Sequence, residues 1–162
     1  MKTKIKLFIT DCDGCLTDGG MYYDQTGNEL KKFNAKDGKG FELLRKNNIL
    51  TGIITGEDTK IVENRAKKIK ADELHQGAKN KLEVLEEILE RRNLTFDEVA
   101  YVGDDINDLD IINNCKMSFA PHDAVEEVLN SVNIILKRNG GQGAVREAAD
   151  YVIKFNNDIN LE

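Results

Sequence analysis

The stretch Ile5-Lys6-Leu7-Phe8-Ile9-Thr10-Asp11-Cys12-Asp13-Gly14 decides how this chain folds. Residues 5–9 are apolar enough for a buried strand, and Thr10-Asp11-Cys12-Asp13-Gly14 closes that strand in a polar, Gly-ended loop. Two carboxylates are thereby expected at a strand's C-terminal end. The same punctuation recurs twice. Leu50–Ile54 reads as a second buried strand ending at Thr55-Gly56, and Val99–Val102 as a third ending at Gly103-Asp104-Asp105. Helical spacing fills the intervals: Phe41, Leu43 and Leu44 within 40–48; Ile61, Val62, Ala66 and Ile69; and Leu82, Leu85, Ile88 and Leu89, with Asn80 as the start. Shorter strands at Met117–Ala120 and 132–136 flank a helix over 124–129, and a last helix carries Val145, Ala148, Ala149 and Val152. This alternation predicts an α/β fold, a single doubly wound, Rossmann-like parallel sheet spanning one domain, 1–162. In such sheets the binding crevice lies outside the C-terminal strand ends, so the three polar clusters are expected to converge.

One segment interrupts the alternation. Residues 21–23 and 29–33 flank Asp24-Gln25-Thr26-Gly27-Asn28, which reads as a β-hairpin projecting within 19–36. At the other end, a Gly-rich stretch leads into a helix within 139–155.

Composition removes several function classes. The 162 residues carry 23 Lys and Arg against 29 Asp and Glu, a net charge of -6 that repels phosphate backbones and anionic lipid. Neither nucleic acid nor membrane is an expected partner. No apolar run approaches the roughly 20 residues of a membrane-spanning helix, and no apolar leader with a cleavage site follows Met1, so a cytoplasmic location is expected. Cys12, Cys15 and Cys115 are an odd set without paired CxxC units, which supports neither a disulfide framework nor a zinc site. Reduced thiols filling small core volumes are the expectation. His75 and His122 receive no catalytic role, and Lys67-Lys68-Ile69-Lys70 is most simply a solvated helix face.

Asp-x-Asp alone says little, but Asp104, Asp105 and Asp108 on another strand end change its meaning. Converging carboxylates repel one another unless a cation lies between them. Magnesium takes octahedral oxygen ligands, held by one or two carboxylates plus substrate phosphate. Thr55-Gly56 supplies a hydroxyl and backbone N–H groups for phosphate, and Lys81 an ammonium near a helix start. These are the parts phosphoryl transfer requires.

The string Asp11-Cys12-Asp13-Gly14-Cys15-Leu16-Thr17-Asp18-Gly19, then Ile54-Thr55-Gly56, Lys81 and Gly103-Asp104-Asp105-Ile106-Asn107-Asp108, resembles the four ordered motifs of the haloacid dehalogenase superfamily. The hairpin, Phe33-Asn34-Ala35-Lys36-Asp37-Gly38, Gln76-Gly77 and Gly140-Gly141-Gln142-Gly143-Ala144-Val145-Arg146-Glu147 further resemble the capless 3-deoxy-octulosonate 8-phosphate phosphatases, a group that includes nonulosonate 9-phosphate phosphatases. The resemblance implies a magnesium-dependent phosphomonoester hydrolase for a phosphorylated sugar acid. In that family four subunits join their hairpins in a central barrel, and a neighbour covers each site. It also implies roles. Asp11 is the nucleophile and Asp13 the acid and base; Asp11, the Asp13 carbonyl and Asp104 hold magnesium. Thr55, Gly56 and Lys81 bind phosphate, and Asp105 and Asp108 orient the metal ligands and Lys81. Glu57 stands where the family commonly has Arg, which points to a nine-carbon acid if Glu57 faces the crevice, with Lys68 as a cation for it across subunits. The Gly-rich tail is expected to supply flexibility, and Arg146 a cation for the substrate carboxylate, in its own crevice or a neighbour's.

Two rival readings belong to other classes. A receiver domain shares the doubly wound sheet, magnesium, Asp, Thr and Lys, but places its acidic pair first and its acceptor later, the reverse of the order here. A scaffolding module attached to sugar-nucleotide synthesis would keep the site without depending on turnover.

Overall fold

The structure, a computed structural model, describes residues 3–159, so the ends of the expected domain span lie outside it. The chain runs through β1 (Leu7–Thr10), the hairpin strands β2 (Tyr22–Tyr23) and β3 (Glu29–Leu30), α1 (Ala35–Lys46), β4 (Leu50–Ile54), α2 (Lys60–Ile69) and β5 (Glu73–His75). It continues through α3 (Lys81–Arg92), β6 (Val99–Val102), α4 (Leu109–Asn114), β7 (Met117–Ala120), α5 (Glu126–Leu129), β8 (Ile134–Ile135) and α6 (Ala144–Ile159). Six strands form one sheet in the order β5-β4-β1-β6-β7-β8, with every pairing parallel. From β1 the chain goes outward through β4 to β5, then returns to β6 on the other side of β1. That reversal opens a crevice at the C-terminal end of β1. Thr10 pairs with both Ile53 and Val102, so the residues after these strands leave the sheet at one level.

Alternation along β1 sends Phe8 to one face and Leu7 and Ile9 to the other. Phe8 packs with Phe41 and Leu44 of α1 and with Val145, Ala148 and Val152 of α6. Leu7 and Ile9 pack with Leu85, Ile88 and Leu89 of α3 and Ile111 of α4. No helix among the described residues is long and apolar enough to cross a membrane.

Several elements differ from the sequence expectation. Helix α1 begins at Ala35, before residue 40, because the Asn34 side chain accepts from Lys36 N at 2.9 Å and caps it. Strand β5 and helix α4 are unanticipated. The carboxylate of Glu73 in β5 is buried under Arg91 and Arg92 of α3, at 2.7–3.1 Å, a long-range pairing that hydropathy does not register. Helix α5 is shorter than 124–129 and β8 shorter than 132–136.

The Gly-rich segment is hydrogen-bonded into the body of the domain. Gly141 N donates to Cys15 O at 3.1 Å, Gly140 N to Asp123 Oδ1 at 2.9 Å, and Asn34 Nδ2 to Gly141 O at 3.2 Å. A Cβ on Gly140 would lie 1.9 Å from Gly14 O, and Gly141 takes φ +69. The segment thus lies flush against the turn that carries the first two aspartates, and only glycine permits that approach.

Asp37, in the first turn of α1, is fully buried and caps α6, accepting from Arg146 N at 2.8 Å through Oδ1 while Oδ2 has no partner. Burial pushes its carboxyl from the ordinary 3.8 up to about 6, against the pull of Arg65, Arg138 and Arg146. The folded state therefore holds this proton more tightly than the unfolded chain does, and stability is lost as pH rises from the lower value through the upper one. Asp37→Asn is expected to unfold at higher urea than the wild type at pH 7, by about 2–3 kcal/mol. The gap should close below about pH 4 in parallel denaturant titrations.

Candidate active site

Asp11 leaves the end of β1 with its N–H donating to Val102 O at 2.9 Å, which fixes the first residue of the turn against β6. Its Oδ1 accepts from Cys12 N at 2.6 Å and its Oδ2 lies 3.0 Å from Lys81 Nζ. The chain then winds through a wide turn over Cys12–Leu16, closed by Thr17 N donating to Cys12 O at 3.1 Å. Inside that turn Gly14 takes φ +80, and a Cβ there would sit 1.9 Å from Asp104 Oδ2. Glycine is required on both counts. Cys12 and Cys15 are buried as expected.

Opposite, at the end of β6, Asp108 is the organiser. Its Oδ1 accepts from Lys81 Nζ at 2.8 Å and Tyr101 OH at 2.5 Å, and its Oδ2 from Asp104 N at 3.0 Å and Asp105 N at 3.3 Å. With every lone pair engaged, Asp108 is a brace. Asp108 contacts Lys81, whereas Asp105 accepts from Ile106 N at 2.7 Å through Oδ1, caps the next turn and lines the crevice.

A crevice of about 270 Å³ is lined by Asp11, Asp13, Thr55, Gly56, Glu57 and Asp104, with Gly14, Gly19, Asp105 and Asn107 completing it. The three strand-end clusters therefore meet. Asp11, Asp104 and Asp108 each offer an oxygen within 4.8 Å of the others, and Asp11 and Asp104 remain for a cation once Asp108 is spoken for. Burial and then the neighbouring carboxylates push both up, Asp11 to about 7 and Asp104 to about 8. Lys81 pulls Asp11 back only partly. Burial alone would lower the Lys81 pKa, but Asp11 and Asp108 outweigh it and hold its ammonium above the ordinary lysine range. Two carboxylates with unbalanced charge and hard oxygen donors fit magnesium. Cys15 Sγ lies 3.7 Å from Asp104 Oδ1, but burial drives its pKa well up, so it stays a thiol and not a ligand.

Glu57 does face the crevice, and within its own chain it pairs with Lys31. Lys31, just after β3, reaches in with its side chain 1% exposed and lies 3.1 Å from Glu57 and 2.8 Å from Asp13. Lys68 instead lines a separate hollow of about 550 Å³ with Arg45, Arg65 and Lys70. Arg146 also lies outside the crevice, in a third hollow beside Lys36 and Arg138, and pairs with Asp150 at 3.0 Å. Lys31, Tyr101 and Asn107 were not assigned roles from the sequence. The one local signal for Lys31 is its two-residue spacing from Glu29 along an extended segment, which puts both on one face; they meet at 3.1 Å.

Strand ends that bring Asp11 and Thr55 into one crevice, with the Lys81–Asp108 brace beneath them, are the frame of a haloacid dehalogenase-like hydrolase, and the sequence pattern of that class matches residues 54–148. The 3-deoxy-D-manno-octulosonate 8-phosphate phosphatase of Escherichia coli K12 is 38% identical over 149 residues, covering 92% of this chain and 79% of its own. The chain belongs to that family of phosphatases, and no cap domain is evident among its described residues. The crystal structure of the Yersinia pestis phosphatase aligns with a TM-score of 0.92 at 35% identity, covering 96% of this chain and 84% of that one. The Moraxella catarrhalis enzyme, in complex with magnesium, phosphate and KDO, aligns with a TM-score of 0.92 at 32% identity over 97% of this chain and 90% of its own.

Proposed function

We propose that this phosphatase hydrolyses the terminal phosphomonoester of a 3-deoxy-2-ulosonic acid through a phosphoryl group carried on Asp11. The observation that supports this most is the placement of Asp11 against Lys81 at the crevice floor, with Asp13 lining the same crevice. An Asp11 oxygen bonds to phosphorus as the bond from phosphorus to the sugar oxygen breaks, and Asp13 passes its proton to that departing alkoxide. Water then gives a proton back to Asp13 and attacks the phosphoryl group, releasing phosphate and restoring Asp11. Lys81, Thr55 and the Gly56 backbone hold the phosphoryl oxygens throughout. Asp11, the Asp13 carbonyl and Asp104 would hold magnesium, which would supply positive charge against those oxygens.

The same reading extends to the substrate and the assembly. Relatives are named for the eight-carbon acid, yet Glu57 in the crevice wall, 43% exposed, offers an acceptor to sugar hydroxyls. That favours a nine-carbon, sialic-type acid phosphorylated at its last carbon. Met21, Tyr22, Tyr23 and Leu30 stand exposed on a hairpin too small to be stable alone, which supports its burial in a homotetramer. In that assembly Lys68, with Arg65 beside it, and Arg146 serve a neighbour's crevice. A small charged metabolite, no nucleic acid and no membrane are then the partners, and the cytoplasm is the location.

Asp11→Asn is expected to lower turnover at least ~100-fold with the thermal transition retained, and excess chelator should stop the wild type until magnesium is restored. In competition between octulosonate 8-phosphate and a nonulosonate 9-phosphate, the wild type should use the latter at least as well. Glu57→Arg should shift the kcat/KM ratio ~10-fold or more toward the former. Sedimentation equilibrium should return four times the chain mass, and an active monomer would remove the assembly.

A further inference from the structure

The Lys31 side chain, though charged and on the hairpin arm, is enclosed. Its ammonium contacts Asp13 Oδ1 at 2.8 Å, Glu29 Oε1 at 3.1 Å and Glu57 Oε2 at 3.1 Å. Burial works against its charge, but hydrogen bonds to Asp13, Glu57 and Glu29 prevail and hold it well above the ordinary lysine range. The arm that carries it is anchored close by. Phe33 bridges to Thr17, and the Thr17 hydroxyl accepts from Gly14 N at 3.2 Å and Gly19 N at 3.1 Å while donating to Asp13 Oδ1 at 3.4 Å. The hairpin base and the aspartate turn are thus one unit, and Lys31 projects from it into the wall of the crevice. The contact to Glu29 stays within the hairpin arm. The contacts to Asp13 and Glu57 reach across to the ends of β1 and β4.

We propose that Lys31 is a positioning residue for the reaction: it occupies Oδ1 of Asp13, leaving Oδ2 as the oxygen that gives and takes the proton, and it holds Glu57 in the substrate-facing wall. This rests on the reading of Asp13 as acid and base. A carboxyl group free to rotate presents either oxygen in many orientations, whereas proton transfer needs hydrogen-bond reach and alignment. The charge of Lys31 also offsets that of Glu57, so the wall can accept an anionic sugar without a bare carboxylate facing it. Lys31 thereby ties the orientation of the acid to the hairpin, a part of the chain otherwise outside the chemistry.

The leaving group separates positioning from mere support. Phosphoryl transfer from p-nitrophenyl phosphate to Asp11 needs no proton on its leaving group, whereas transfer from a sugar phosphate does. Lys31→Met is expected to slow single-turnover phosphorylation by the better sugar phosphate, at saturation, ~30-fold or more, with KM for that substrate raised as Glu57 is left unpaired. Phosphorylation by p-nitrophenyl phosphate should change less than ~3-fold, and slow dephosphorylation should then leave a stoichiometric burst of nitrophenolate. Equal losses for both substrates would overturn the proposal. Lys31→Cys supplies a second route on one folded protein. Alkylation with bromoethylamine, which restores an ammonium at nearly the lysine length, should recover the sugar-phosphate rate, while iodoacetamide should not. Equal recovery by the neutral adduct would also overturn it, with wild type alkylated in parallel as control. Asp13→Asn distinguishes the two levels: full activity there removes the acid–base reading itself. A leaving-group split in Asp13→Asn without one in Lys31→Met removes only the role of Lys31.

Discussion

The Lys81 ammonium, 3.0 Å from Asp11 and 2.8 Å from Asp108, carries the arrangement around it. Taking these three charges out of water is costly, and their attraction offsets that cost only when the remaining donors and acceptors are also met. Asp108 meets the condition fully, with Tyr101 OH and two backbone N–H groups beside the lysine. Those N–H groups belong to Asp104 and Asp105, so the same carboxylate that holds Lys81 also shapes the turn presenting Asp104. Asp11 and Asp104 do not meet the condition, and both are pushed well up by burial and mutual repulsion. One lysine does not balance three carboxylates. The imbalance is what makes the crevice a place for a divalent cation.

Backbone geometry serves that electrostatic design. The level ends of β1, β4 and β6 bring Asp11, Thr55 and Asp104 into one crevice. Close packing then decides the small residues. Gly14 makes room for the Asp104 carboxylate, and Gly140 and Gly141 lie against the back of the same turn, joined to it through Cys15 O. A segment whose composition suggests mobility is packed and hydrogen-bonded against the body of the domain, because glycine here permits close contact. The hairpin contributes from the other side through Lys31, so the aspartate turn is held by parts of the chain far apart in sequence.

Much of this was legible in local pattern. Apolar runs ending in polar, Gly-containing loops located β1, β4, β6 and β7, and Asn80 marked the start of α3, where its side chain accepts from Leu82 N and Glu83 N. Where pattern failed, a long-range partner had replaced it. Glu73 hides in an edge strand because Arg91 and Arg92 cover it. The α1 start was missed because Asn34, within an apparently irregular run, is a cap.

The candidate site divides in the same way. Sequence alone determined Asp11, Asp13, Thr55 and Asp104 at the strand ends, Asp108 in the turn beyond and Lys81 at a helix start, because their spacing from apolar runs and their order along the chain are local properties. Tertiary structure alone decided the pairings within the chain: Glu57 with Lys31, Asp108 with Lys81, and Arg146 with Asp150 outside its own crevice. The physical reason is that periodicity reports which face of an element is buried, whereas the partner of a charged group depends on which distant segment the fold brings within about 3 Å, the reach of a hydrogen bond.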